Sequence, residues 1–259
     1  LKIKKYIFLA IFALLLYVVL GAVIPYKKQP KISNEYINSF NPDQFYSEQV
    51  SCDRALVIED NTEALVERLR MIERADERII LSTFDFRADD SGKAVLAALL
   101  NAAKKGIDIK ILVDGYSALM YMRNDSYFMA LSTLNNVEIK IYNPIDILKP
   151  WKIMGRLHDK YIIIDSELYL LGGRNINNNF LTNDGHINYD RDILVYNTKP
   201  DTKESSIFKL YDYFNEIWNM KECIHYHDEA KKASKKKVIA AKVELENIYK
   251  QNMAKYPFL

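Results

Sequence analysis

Cysteine is scarce in this chain, with 2 among 259 residues, and glycine and proline are held to 8 and 7. Those shortages exclude a disulfide-dense scaffold and a collagen-like repeat. Cys52 and Cys223 lack the spacing of metal ligands. The 49% hydrophobic content excludes a wholly disordered protein. No internal repeat or low-complexity block occurs, so one sizeable domain, or two small ones, fits the length. Acid is missing from residues 1–31, which carry six lysines, and charge is uneven beyond them. Residues 32–220 sum to −8, although the whole chain is +2. A core of that sign is a poor general binder of polyanions, whose affinity comes from neutralised phosphates, so no nucleic-acid partner is favoured.

Residues 6–24 form an uninterrupted apolar run, broken in character only by glycine and tyrosine hydroxyls. As a helix it is roughly 28 Å long, enough to cross a bilayer core. No Ala-x-Ala cleavage signal follows it, and the run exceeds an ordinary signal-peptide core. Residues 1–30 therefore read as an uncleaved membrane anchor ending near Pro25, with lysines on both flanks. The expected location is the cell membrane, with a single pass, the N-terminus inside and the domain outside. In that setting Cys52 and Cys223 could form one bond tying the domain's start to its end.

Residues 31–54 read as a juxtamembrane linker. Beyond it, short apolar runs alternate with helical patterns, the rhythm of an α/β layered domain over 55–220. Strands are expected at 55–58, 78–86, 109–114, 138–142, 161–165, 168–171 and 193–195. Helices are expected after Asp60, where Leu65, Leu69 and Ile72 share a face, over 92–105, through about 134, and over 205–220. Residues 221–259, rich in lysine, read as a charged helical tail or linker outside that lobe.

The chemistry concentrates in Leu157-His158-Asp159-Lys160, Asp165 and Gly172-Gly173-Arg174-Asn175, with the spacing His-x-Lys-x4-Asp-x6-Gly-Gly-x-Asn. Alternation in an extended segment puts His158 and Lys160 on one face, about 6 to 7 Å apart, so both can face one phosphate. A neutral imidazole can attack phosphorus while the ammonium neutralises charge on the non-bridging oxygens. Gly172 and Gly173 are expected to make a tight turn close to the site, and the Asn175 amide can donate to another oxygen. Taken singly each residue has an ordinary structural explanation. The six fixed positions together would arise by chance with a probability on the order of 10⁻⁵. These parts describe phosphoryl chemistry without a metal or cofactor.

On that motif, and on Tyr189-Asp190-Arg191-Asp192, the sequence resembles the phospholipase D superfamily from about residue 55 to 220. Within it the chain is most similar to the amino-terminal half of bacterial cardiolipin synthase-like enzymes. The resemblance implies an α/β lobe with a central mixed sheet flanked by helices, a phospholipid substrate and a phosphatidyltransferase or phosphodiesterase activity. It implies that His158 forms a phosphohistidine and that Lys160 and Asn175 hold the phosphoryl oxygens. Asp192, or failing it Asp190, would accept a hydrogen bond from the second imidazole nitrogen. Asp165 would orient the motif strand by hydrogen bonding.

Family sites pair two such motifs, and this sequence holds one. The other histidines, His186, His225 and His227, are not followed by lysine two places on. Two arrangements answer this: the chain is the leading half of a two-motif enzyme, or two copies bring their motifs together. A single-motif endonuclease acting as a homodimer, or a lobe without catalysis, are the alternative functions.

Overall fold

The structure, a computed structural model, describes residues 2–28, 31–46, 48–226 and 235–257. His227 and the Lys231-Lys232 pair lie outside them. The chain divides into two units, Leu1–Ser51 with Ile145–Gly155, and Cys52–Pro144 with Arg156–Leu259.

In the first unit, α1 (Lys2–Lys27) carries the apolar run and is long and apolar enough to cross a membrane. It passes through Pro25 instead of ending there, because a proline so near the terminus removes only one intrahelical donor, and Lys28 still bonds to Ile24 O at 3.0 Å. Apolar side chains stand exposed all around this helix, a surface that only a non-aqueous phase covers favourably. The expected linker contains the short helix α2 (Asn34–Ser39), capped by Ser33, with no residue buried.

The second unit is built on an eight-stranded sheet. Its elements in chain order are β1 (Asp53–Ile58), α3 (Asn61–Glu73), β2 (Arg78–Thr83), α4 (Asp90–Lys104), β3 (Asp108–Asp114), α5 (Gly115–Ser117), α6 (Ser126–Ser132) and β4 (Val137–Tyr142). There follow β5 (Tyr161–Ile164), β6 (Leu168–Gly172), α7 (Asn178–Leu181), β7 (Asp192–Asn197), α8 (Ser206–Trp218), β8 (Cys223–His225) and α9 (Lys236–Lys255). The strand order is β1-β7-β6-β5-β2-β3-β4-β8, parallel for β2/β3 and β3/β4 and antiparallel elsewhere. This is the mixed sheet anticipated from the sequence.

Strand alternation divides the core into two layers. Ile79, Leu81, Ile162 and Ile164 face a cluster with α3, α4 and α9, while Ile80, Tyr161 and Ile163 face Ile207, Phe214, Ile217 and Trp218 of α8. Helix starts follow their caps: Asp60 accepts from Glu63 N, and Asp89 from Gly92 N.

Two expectations change here. The described parts of the expected tail, 221–226 and 235–257, are not a solvated appendage, since β8 pairs with β4 and α9 buries Val238, Ala241 and Leu245. Those sparse apolar residues recur at helical spacing among the lysines, and the charged face is anchored by Lys93–Glu244 and Lys104–Glu246 ion pairs. The cysteines cannot join within the chain. Cys52 precedes β1 at one sheet edge and Cys223 opens β8 at the other, about 34 Å away at the usual strand spacing, whereas a disulfide needs Cα atoms within about 7 Å. Burial also pushes the Cys223 thiol up to about 11, which makes it a poor nucleophile at neutral pH.

Candidate active site

Register brings the motif residues to one end of the sheet. There β2 and β3 finish at Thr83 and Asp114, β5 begins at Tyr161, β6 finishes at Gly172 and β7 begins at Asp192. Tyr161 pairs with Ser82 and Leu171, and Gly172 with Asp192. The segment leading into β5 is held by a buried carboxylate, because Asp114 accepts from Leu157 N at 2.8 Å and from Arg156 Nη1 at 3.1 Å.

His158 and Lys160 come together around one aromatic ring. The imidazole centroid lies 5.0 Å from that of Phe84, and the Lys160 ammonium lies 5.8 Å from the same ring. His158 is open to solvent, whereas Lys160 is buried and donates to the His158 carbonyl at 2.7 Å. Desolvation holds the Lys160 ammonium below the ordinary lysine range, and the Asp190 and Asp159 carboxylates offset part of that. A partly dehydrated cation beside a reachable imidazole gains more from an arriving anion than a solvated lysine does.

Asn175 is fixed by its acceptor side. Its Oδ1 takes Asp85 N–H at 3.1 Å, which leaves the amide hydrogens as donors. Asp85 is itself held by Arg87, Ser117 and Asn177. Gly172 and Gly173 serve a different purpose from the expected turn. Neither has a positive φ; a Cβ on Gly172 would meet Asp192 Oδ1 at 1.9 Å, and one on Gly173 would meet Asp190 Oδ2 at 2.1 Å. Side chains are absent there so that two carboxylates can lie against the strand.

Neither Asp165 nor Asp192 is hydrogen-bonded to the imidazole among the described contacts. Asp165 lies at the far end of β5 from His158, at a φ of 49°, and accepts three backbone N–H bonds from Asp76, Glu77 and Arg78 at 2.9, 2.9 and 2.7 Å. It organises the start of β2. Asp192 does not reach the imidazole. It is fully buried and ion-paired with Arg68 at 2.9 Å and Arg174 at 3.4 Å, because burying its charge requires an opposite charge close by. Arg174 also donates to Asn61 Oδ1, Ile58 O and Glu59 O.

The arginine pair was the part missed in the sequence. Arg68 occupies the buried face of α3, beside Leu69 and Ile72, and a charge at a core-facing helical position was the available signal. Arg68, Arg174, Lys160, Ser82 and Tyr161 line one small void beneath the motif. Asp192→Ala would leave two guanidinium groups buried without their carboxylate, at an expected cost of about 3–5 kcal/mol. A large drop in the unfolding midpoint of the full chain in detergent checks this. Unchanged unfolding with a displaced pH–activity profile would return Asp192 to the imidazole. Among the described residues no group of three or more His, Cys, Asp or Glu side chains could hold a metal ion.

The domain family described as cardiolipin synthase, PLD-like domain, matches residues 69–218. Cardiolipin synthase B of Escherichia coli is 36% identical over 108 residues, 41% of this chain and 25% of that protein. Cardiolipin synthase of Clostridium perfringens is 26% identical over 219 residues, 71% of this chain and 44% of that protein. The chain thus spans less than half the length of these curated relatives. Among solved structures, phosphatidylserine synthase of Haemophilus influenzae superposes with a TM-score of 0.54 at 15% identity, covering 78% of this chain and 44% of that one. Nuc of Salmonella typhimurium, a phospholipase D family member, gives 0.50 at 19% identity, covering 68% of this chain and 99% of that one. At such identities the likeness is one of fold.

Proposed function

Because this chain belongs to the phospholipase D superfamily, through a cardiolipin synthase-type domain over most of its second unit, we propose that it is a membrane-anchored phosphatidyltransferase or phosphodiesterase working through a phosphohistidine. The observation that carries the reading is that a solvent-reachable His158 and a partly dehydrated Lys160 both lie against the Phe84 ring, with the Asn175 amide oriented by Asp85, the next residue along.

In the first step an imidazole nitrogen of His158 attacks phosphorus, a P–N bond forms and a P–O bond breaks. Lys160 and the Asn175 amide neutralise charge on the non-bridging oxygens as the transition state develops. The leaving alkoxide takes a proton from the histidine of a second motif, supplied by a carboxy-terminal half or by another copy of the chain. That histidine then removes a proton from an incoming alcohol or water, whose oxygen attacks phosphorus and releases His158. An alcohol gives lipid exchange and water gives hydrolysis. The apolar α1 holds this chemistry at the lipid surface.

The test is incubation of the full chain, reconstituted in phosphatidylglycerol vesicles, with identification of the products. Cardiolipin with glycerol, or phosphatidic acid, is expected; the absence of both products together with no phosphohistidine formed on the chain would overturn the reading. A second reading, a homodimeric nuclease, rests on the single motif of this sequence, which two copies would have to pair. It requires strongly salt-dependent DNA binding, which the −8 charge of residues 32–220 opposes.

A further inference from the structure

The segment Ile145–Gly155 ends just before the motif, with Arg156 and Leu157 between it and His158, and it is built unlike a soluble loop. Ile147, Leu148, Trp151 and Met154 are all exposed. Four large apolar side chains on one short loop form a patch that water does not favour. Part of its backbone is satisfied within the loop: Lys149 N bonds to Asp146 O, Lys152 N to Lys149 O, Ile153 N to Pro150 O and Gly155 N to Lys152 O, at 2.9 to 3.2 Å. Leu148 N takes the Asp146 carboxylate at 3.0 Å. Such closure is what irregular backbone needs near hydrocarbon.

The loop belongs to the same unit as α1 and packs on it. A Cβ on Gly21 would meet Pro150 Cγ at 2.4 Å, so the glycine is what lets the turn Pro150–Lys152 approach the helix. The Tyr17 hydroxyl donates to Leu148 O at 2.9 Å. A phenol and a carbonyl within a bilayer each need a partner, and here each supplies the other's. Depth follows from helix rise. Gly21 and Tyr17 lie about 5 and 10 Å inside the apolar end at Ile24, the depth to which interfacial elements sink.

Resting on the membrane-anchored reading above, we infer that Ile145–Gly155 is an interfacial wedge whose occupant is the phospholipid bilayer, docked along α1 and immersed at the headgroup–acyl boundary. Lys149 and Lys152 lie between its apolar residues, and Lys149 is paired with the Asp146 carboxylate at 3.3 Å. The chain leaves the wedge at Gly155 and reaches His158 three residues on.

Trp151 is one of only two tryptophans, the other being the buried Trp218, and reports directly on this. The full chain carrying Trp218→Phe is reconstituted in vesicles of phosphatidylcholine and phosphatidylglycerol brominated on the acyl chain near the glycerol backbone. Trp151 emission is expected to be blue-shifted and quenched by the brominated lipid. Quenching by aqueous iodide with none by brominated lipid overturns the inference, as does a blue shift that depends only on protein concentration in detergent, which would make the occupant a second copy. Should Trp218→Phe fail to fold, the difference between the parent chain and Trp151→Phe gives the same signal. The readout needs no turnover: Trp151 quenched without product sinks the enzymatic reading alone, and product without quenching sinks the wedge alone.

Discussion

Replacing His158 by alanine is expected to remove turnover of phosphatidylglycerol, a loss on the order of 10⁴-fold or more, with little change in stability. The ring is open to solvent and its described contact is the face of Phe84, so its loss leaves no buried polar group unpaired and no core cavity. Activity and stability therefore separate at this position. A sharper form uses His158→Gly with added imidazole, since a free imidazole of the same nucleophilicity can occupy the vacated space and form the P–N bond itself. Partial rescue by imidazole, together with loss of an acid-labile phosphoryl label from the protein, identifies the nucleophile. Near-normal turnover in His158→Ala would remove the covalent mechanism.

Lys160→Ala is expected to lower kcat/KM by about 10²–10³-fold, the usual scale for one preorganised group facing developing charge. The pH dependence carries more information. Burial holds this ammonium below the ordinary lysine range, so the alkaline limb of the parent chain's activity should set in below the pH of an ordinary lysine. Asp190 pushes in the opposite direction, by favouring the charged form. Asp190→Asn should therefore move the limb to still lower pH. Stability has the other sign. The folded state gives up the Lys160 proton more readily than the unfolded chain, so this group's contribution to stability is present above the unfolded pKa and lost as pH falls through the folded one. Alkaline inactivation should accordingly occur without unfolding, a combination that parallel activity and circular-dichroism titrations resolve. A limb that stays put in Asp190→Asn would place the titrating group elsewhere.

Much of the architecture was legible in local pattern. The 79–81 and 162–164 runs read as strands because β-branched residues continue without helical spacing, and they are strands with both faces covered. Asp60 marks a helix start because its side chain takes an amide three residues on. The packing of the 236–255 helix is hard to read from sequence because its buried side is only Val238, Ala241 and Leu245 within a lysine-rich stretch, so charge density masks a narrow apolar stripe. The loop before the motif carries no readable signal in the sequence, since an isolated apolar patch has no period and gains meaning only from its seat on α1.

The order of residues along the chain was enough to establish an apolar segment of bilayer length, an α/β rhythm, and a histidine and lysine two positions apart ahead of a glycine pair and an asparagine. Those are short-range properties: spacing along one strand or helix decides which side chains can share a face. Which carboxylate meets which cation was settled only by the assembled sheet. Asp192 lies more than a hundred residues from Arg68, and the pairing of β6 with β7 brings it beneath Gly172, where a desolvated charge must take the nearest guanidinium. Burial energies depend on everything packed around a group, and that is a property of the folded whole.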